Sequence, residues 1–333
     1  MVRNCIIATT ALIGILITLD LSGIITAKEY TQQDTTKKTT ITESEGRLEV
    51  YFCPEDMCEE IVLGVIRNSK SSVYCAFYDL DLESLRQLLK EKSRNIDVKL
   101  LLDERNSDSD TSMDFAKKQK RPGLMHNKFC IIDRKLTLTG SMNPTIRGTQ
   151  KNDNNIIIIS SEEIARVYDA EFDELWSNKK DDGKGSSVFM MNGTLIEILF
   201  CPEDGCTEAV VDALSKARKA IYFMTFSFTE RRIANQLILK QSSGVDVRGV
   251  LENSQVSTYS VFSLLTYQGM QVRKDKNKYN MHHKVFIIDN MTVITGSYNP
   301  SKNADTRNDE NMLIIENPEL AVSFAKEFNR IFS

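Results

Sequence analysis

The chain has 333 residues, 41% hydrophobic and 26% charged, a balance that excludes wholesale disorder and leaves room for two domains or two repeats. Its net charge of −4 argues against a protein that coats duplex DNA through a broad basic surface, but not against a local basic groove.

Arg3 precedes a mostly apolar run from Cys5 to Leu19, interrupted by Asp20 and resumed from Leu21 to Ile25. A charged start and an apolar run of this length fit a secretory signal. A bilayer span needs about 20 such residues, which this run reaches only by including Asp20. Ile25-Thr26-Ala27 is a poor cleavage site because Ile25 is not small. Residues 1–27 therefore read as a cleaved signal or an uncleaved membrane anchor. Either places the remainder outside the cytoplasm, secreted or tethered. Residues 28–46 are rich in Thr, Lys, Gln and Glu without an apolar period and read as a flexible stalk.

A first unit is expected over 47–176. Leu48 to Phe52 is strand-like, and Pro54-Glu55-Asp56 suits a helix start running to about Asn68. A strand over Val73 to Tyr78, a helix over Leu82 to Lys92 and a strand over Val98 to Leu102 follow. Lys128 to Ile132 and Leu136 to Thr139 form a hairpin that turns near Asp133. Ile156 to Ile159 is a buried strand and Glu162 to Trp176 an amphipathic helix. Residues 177–193, rich in Lys, Asp, Gly and Ser, read as a linker.

A second unit over 194–333 repeats this order. Leu199 to Asp204 answers Tyr51 to Asp56, Ile221 to Phe226 answers Val73 to Tyr78, and Asn311 to Ile315 answers Asn155 to Ile159. Residues near Met270 to Arg273 predict a strand that the first unit lacks. The fold class expected is α/β: a duplicated α-β-α sandwich with mixed central sheets, packed as a pseudo-two-fold dimer within one chain.

Seven cysteines suit an oxidising compartment. Cys53 with Cys58, and Cys201 with Cys206, lie in matching Cys-Pro-Glu-Asp-x-Cys segments and are disulfide candidates. No spare histidine completes a zinc site there. Cys75 and Cys130 fall in apolar strand-like runs and read as buried thiols.

All three histidines sit in two copies of one pattern. The first has Met125-His126-Asn127-Lys128, Asp133, then Gly140-Ser141-Met142-Asn143. The second has Met281-His282-His283-Lys284, Asp289, then Gly296-Ser297-Tyr298-Asn299. Such doubling points to one site built from two halves. His283 has no histidine counterpart, since Asn127 holds its place, and strand alternation points it away from His282 and Lys284.

This doubled signature resembles that of the phospholipase D superfamily, most closely its small nuclease and cardiolipin-hydrolase branch with two compact units fused. The resemblance implies a catalytic set of His126, Lys128, Asp133, His282, Lys284 and Asp289. One neutral imidazole would attack phosphorus to form a phosphohistidine, and the other, protonated, would release the leaving oxygen. The lysines, with Ser141, Asn143, Ser297 and Asn299, would hold the nonbridging oxygens. Asp133 and Asp289, near turns at strand ends, read as organisers that do not transfer protons. The scheme requires no metal and no cofactor. Family members carry a histidine-orienting acid after the Gly-Ser-x-Asn loop. Glu310 stands there in the second unit, whereas Asn154, beside Asp153, holds the place in the first.

Arg273, Lys274, Lys276 and Lys278, Lys117 to Arg121, and Arg147, Lys151, Lys302 and Arg307 flank the motifs. They read equally as a steering rim or as solvated loops. Tyr259, Phe262, Tyr267, Tyr279 and Tyr298 offer base stacking or lipid contact, with Tyr259 and Phe262 at a spacing that suits the core. The expected function is phospholipase D-type phosphodiester hydrolysis at a membrane. An extracytoplasmic metal-independent nuclease acting on single-stranded nucleic acid, a phosphatidyl transferase, and an inactive phosphodiester-binding module are the alternatives. No obligate protein partner is implied.

Overall fold

The structure, a computed structural model, describes residues 14–19, 25–30, 40–43, 45–106, 113–179 and 185–333. The chain divides into two compact units, Met1–Lys38 and Thr39–Ser333. In the first, β1 (Gly14–Leu19) pairs antiparallel with β2 (Ile25–Tyr30). The signal or anchor expected over residues 1–27 falls largely outside the described residues. No described helix is long and apolar enough to cross a membrane.

The second unit holds both repeats. It opens with β3 (Thr40–Glu43), then runs β4 (Arg47–Cys53), α1 (Cys58–Arg67), β5 (Ser72–Phe77), α2 (Glu83–Lys92), β6 (Asp97–Asp103), β7 (Ala116–Gln119), β8 (Lys128–Ile132), β9 (Leu136–Gly140), α3 (Ile146–Gln150), β10 (Asn154–Ser160) and α4 (Glu162–Ser177). The second repeat follows as β11 (Ser187–Met191), β12 (Thr194–Cys201), α5 (Cys206–Ser215), β13 (Ala220–Thr225), α6 (Arg231–Ser242), β14 (Asp246–Leu251), α7 (Phe262–Tyr267), β15 (Gln271–Lys274), β16 (Lys284–Ile288), β17 (Thr292–Gly296), α8 (Lys302–Thr306), β18 (Glu310–Glu316) and α9 (Pro318–Phe332).

Two mixed sheets result, with strand orders β4-β10-β9-β8-β5-β6-β7 and β15-β14-β13-β16-β17-β18-β12-β11-β3. The parallel pairs β5–β6 and β13–β14 place their carboxyl ends, and the loops beyond them, on one edge of each sheet. Three sequence expectations change. β7 is the counterpart of β15, so the first repeat does not lack that strand. The end of the presumed stalk is β3, whose Thr-Ile-Thr run suits a pleated edge and pairs parallel with β11. β11 itself lies in the presumed linker and buries Val188, Phe189 and Met191.

Strand alternation distributes the core. Phe129, Ile131, Ile157 and Ile159 face α4, and Val285, Ile287, Leu313 and Ile315 face α9, in one cluster shared by the two repeats. The opposite faces pack Cys130, Ile132 and Ile156 under α1 and α2, and Phe286, Ile288 and Met312 under α5 and α6. The helices α4 and α9 thus supply the join between repeats, and the other helices cover the outer faces.

Cys53–Cys58 and Cys201–Cys206 form disulfides, as does Cys75–Cys130. The last corrects the reading of buried thiols: the two cysteines are direct register partners on β5 and β8. The helix expected from Pro54 begins instead at Cys58. The Cys53–Pro54 and Cys201–Pro202 peptides are cis. In the turns that follow, Asp56 and Asp204 accept from the backbone N–H of Phe52 (2.7 Å) and Phe200 (2.8 Å).

Asp133 and Asp289 sit in the hairpin turns with φ of 54° and 55°. The Asp133 carboxylate accepts from the N–H groups of Lys70, Ser71 and Ser72, and Asp289 from those of Arg218, Lys219 and Ala220. Each clamps the loop that feeds the adjacent strand. Partial burial pushes the Asp133 carboxyl up, but the three amides outweigh it and hold it below the usual carboxylate range. Because the folded value is depressed, the stabilisation is full above the unfolded value near ~3.9 and is lost as pH falls through the folded value. Asp133→Ala should cost about 2 kcal/mol at pH 7, with the difference from wild type shrinking below about pH 4. Urea unfolding at both pH values measures this, and equal stability at pH 7 would refute the clamp.

Candidate active site

The two histidine segments enter the site by pairing with each other's repeat. Met125 bridges Asp309, and Met281 bridges Asp153. The His126 N–H donates to the Asp309 carbonyl (2.9 Å) and the Asp309 N–H to the Leu124 carbonyl (2.8 Å). The mirror bonds run from His282 N–H to the Asp153 carbonyl (2.8 Å) and from Asp153 N–H to the Asn280 carbonyl (2.9 Å). From within each repeat, buried Asp103 and Glu252 accept from the N–H of Met125 and Met281, both at 2.8 Å. Sequence reasoning missed these two acids. Their only signal was a matching place at the end of strands already aligned.

Both imidazoles are held through Nδ1. His126 Nδ1 lies 2.7 Å from Glu310 Oε2. His282 Nδ1 lies 2.9 Å from Asn154 Oδ1 and 3.1 Å from the Ser141 carbonyl. The partners come from the opposite repeat in both cases. Glu310 follows His282 in sequence yet serves His126, because the exchange of backbone pairs carries each loop across the pseudo-two-fold axis. Asp153 does not stand in for Asn154. Its carboxylate bonds Arg330 (2.5 Å) and Asn277 (2.7 Å).

The other candidate residues divide. Lys128 and Lys284 are buried and donate to the carbonyls of His126 (2.6 Å) and His282 (2.8 Å). Ser141 donates to Asn154 (3.0 Å) and Ser297 to Glu310 (2.6 Å), so each hydroxyl steadies the histidine's partner. Gly140 and Gly296 precede them with φ of 138° and 142°, where a Cβ would stand 2.3 Å from the carbonyl oxygens of Asn155 and Asn311. Asn299 Oδ1 accepts from Ser227 N–H at 3.4 Å, while Asn143 Oδ1 is buried without a partner. Asp133 and Asp289 are at the far ends of β8 and β16 from the histidines, as structural clamps. His283 points the other way as expected. It is buried between Asn155 (3.2 Å) and Glu327 (3.2 Å). Tyr298 is buried against Thr207 (2.6 Å), whereas Tyr259, read as a core residue, is 79% exposed.

Burial pushes both imidazoles well below the usual histidine value, and the neighbouring Lys128 and Lys284 push them further. Burial also brings Lys128 down to about 7 against the pull of Glu310, Asp79 and Asp103. Lys284 is driven well down by burial and by Lys128. Burial raises Glu310 to about 7, opposed by Lys128, Ser297 and Asn308. The site therefore gathers four basic groups whose charged forms burial and mutual repulsion disfavour, and a bound anion would favour those charged forms again. Elsewhere among the described residues, Glu55, Asp153 and Glu327 converge. The guanidinium of Arg330 bridges all three, at 3.2, 2.5 and 2.7 Å.

Comparison with known proteins gives the same answer. The family described as "Cardiolipin synthase, PLD-like domain" matches residues 62–176 and 210–332. A phospholipase D of Rickettsia bellii is 34% identical over 146 residues, covering 44% of this chain and 73% of that protein. The mitochondrial cardiolipin hydrolase of Mus musculus is 36% identical over 121 residues, 36% of this chain and 55% of that one. The crystal structure of phosphatidylserine synthase from Haemophilus influenzae superposes with a TM-score of 0.65 at 15% identity, covering 85% of this chain and 86% of that one, a likeness of fold. With the matched segments and the doubled site coinciding, the chain belongs to the phospholipase D family of phosphodiesterases, its PLD-like domain present in two parts.

Proposed function

We propose that this protein hydrolyses the head-group phosphodiester of phospholipids through a phosphohistidine on His126, with His282 as general acid and then base. The observation that carries the assignment is the unequal support of the two imidazoles. His126 Nδ1 faces the Glu310 carboxylate, and His282 Nδ1 faces a neutral amide and a carbonyl. A carboxylate stabilises the positive charge that a phosphorylated imidazole acquires. Neutral acceptors leave the His282 imidazolium a readier proton donor.

In the first step the Nε2 lone pair of His126 attacks phosphorus and the P–O bond to the head group breaks. The Nε2 proton of His282 passes to the departing oxygen. Water then attacks phosphorus, His282 takes its proton, and the P–N bond to His126 breaks. Lys128 and Lys284 offset the charge on the nonbridging oxygens throughout. The bound diester also supplies the negative charge that the free site lacks, which lets His282 hold its proton despite burial. Lipid is favoured over nucleic acid by the net charge of −4 and by the lipid-acting names of the relatives. Three disulfides support an extracytoplasmic site of action, where thiols stay oxidised.

The test gives the full chain phospholipid vesicles and single-stranded DNA side by side in EDTA, with His126→Asn and His282→Asn as controls. Lipid cleavage lost in both variants is the expected result. Cleavage of DNA alone would replace the lipid reading with the nuclease one, and cleavage of neither would overturn both. Mass spectrometry of His282→Asn given a p-nitrophenyl phosphodiester, whose leaving group departs without a proton, should find phosphorus on His126, and label on another residue would reverse the assignment. Glu310→Gln should slow turnover at least ~10-fold more than Asn154→Ala, as loss of a charge-assisted bond outweighs loss of a neutral one. Equal effects would remove the asymmetry argument. Finally, saturating inorganic phosphate should move the imidazole titrations of His126 and His282 to higher pH in proton NMR. An unchanged titration would mean that the cationic cluster does not govern them.

A further inference from the structure

Tyr78 and Phe226 occupy matching places directly after β5 and β13, and each lies against both chemical groups of its own repeat. The Tyr78 ring meets His126 edge-on, with centroids 4.8 Å apart at 63°. Lys128 Nζ stands 5.2 Å from the centre of the same ring. The Phe226 ring meets His282 at 4.7 Å and 64°, with Lys284 Nζ 5.1 Å from its centre. Each ring is fixed in register by its own backbone. Tyr78 N–H donates to the Asn127 carbonyl (3.0 Å), and Phe226 N–H to the His283 carbonyl (2.8 Å), the residue between histidine and lysine in each case. The same three contacts are thus built twice, from unlike residues.

We propose that Tyr78 and Phe226 are positioning residues of the phosphodiesterase site, whose ring faces favour the ammonium form of the buried lysines and whose edges fix the plane of the neighbouring imidazole. The proposal rests on the functional reading above and extends it to residues outside the His-x-Lys signature. The physical need is clear from the surroundings of the lysines. Lys128 is faced by Glu310, Asp79 and Asp103 on the favourable side and by Lys284 and His126 on the other. Lys284 is faced by Lys128, Glu310, His126 and His282. Each ammonium has one hydrogen bond to a carbonyl, from the adjacent histidine. An aromatic face is attractive to a desolvated ammonium and adds no competing negative charge. A carboxylate in its place would neutralise the clamp and repel the substrate phosphate. The aromatic solves the problem with a quadrupole.

The hydroxyl of Tyr78 is not required for this role, since Phe226 performs it without one. The test therefore separates ring from hydroxyl. Phe226→Leu and Tyr78→Leu keep much of the apolar volume and remove the quadrupole, and Tyr78→Phe keeps the ring. In the full-length protein carrying 13C-labelled lysine, the Lys284 resonance in Phe226→Leu should titrate about one pH unit lower than in wild type. Lys128 should do the same in Tyr78→Leu and stay in place in Tyr78→Phe. Wherever turnover is measurable, the alkaline limb of the kcat profile should move down by the same amount in the leucine variants, with kcat falling at least ~10-fold and KM little changed. Unmoved lysine titrations in folded leucine variants would overturn the proposal. So would a Tyr78→Phe protein that behaves like Tyr78→Leu. The lysine titration does not need catalysis, so a protein that cleaves nothing would refute the functional reading and still decide this one.

Discussion

The exchange of backbone between repeats is the constraint on which the site depends. His126 and His282 are each fixed by a carbonyl of the other repeat, and each imidazole takes its Nδ1 partner from there as well. A single repeat would present a histidine and a lysine with neither the orienting acceptor nor the second imidazole. The shared core of α4 and α9 therefore has a chemical consequence beyond burial. It sets the separation of the two histidine segments, each tied to its own repeat through β8 or β16 and through Asp103 or Glu252.

Duplication within one chain also frees the halves to differ, which two identical subunits cannot do. Glu310 and Asn154 are counterparts with different charge, so the two imidazoles have different environments at every pH where Glu310 is ionised. The same divergence shows beneath the site. His283 bonds Asn155 and Glu327, whereas its counterpart Asn127 is buried with neither amide atom partnered. Arg330 neutralises Glu55, Asp153 and Glu327, whereas its counterpart on α4, Glu174, adds another acid. The cation that meets Asp309 comes instead from a loop, through Arg121 at 2.8 Å. The approximate two-fold axis holds for the backbone and fails for charge.

Much of this was legible in the sequence because the informative signals were local and repeated. Apolar alternation gave the hairpins of β8–β9 and β16–β17, and the doubled spacing gave two histidines in one site. What was not legible depended on three-dimensional register. Glu310 was legible as a histidine-orienting acid of the second unit, but crossing of the repeats gives it to His126 of the first. Cys75 and Cys130 looked like packed thiols because nothing in either run shows that they face each other across β5 and β8. The strands β3 and β11 were lost because their short runs, Thr-Ile-Thr and Val-Phe-Met-Met, lie within polar stretches, β3 at the edge of the sheet and β11 between β3 and β12. Asp133 and Asp289 belong to the motif by spacing, but their chemistry is spent on six backbone amides far from the histidines.

The electrostatics of the free site explain why such a costly arrangement persists. Two ammonium groups and two imidazoles share a volume from which water is largely removed, and burial drives all four toward their neutral forms. Glu310 opposes them from within, with Asp79 and Asp103 acting on Lys128, and burial raises the Glu310 carboxyl to about 7. Left alone, the site is poorly satisfied, which is a cost in folding stability. A phosphodiester brings one negative charge into the same volume, and its pentacoordinate transition state concentrates more on the nonbridging oxygens. In the proposed reaction the lysines and imidazoles gain most from that state, so the cost borne in the free site would become selectivity for the transition state over the ground state. A neutral ester of the same shape would gain little of this, and a polyanion would gain it only if its remaining charges met cations outside the buried cluster.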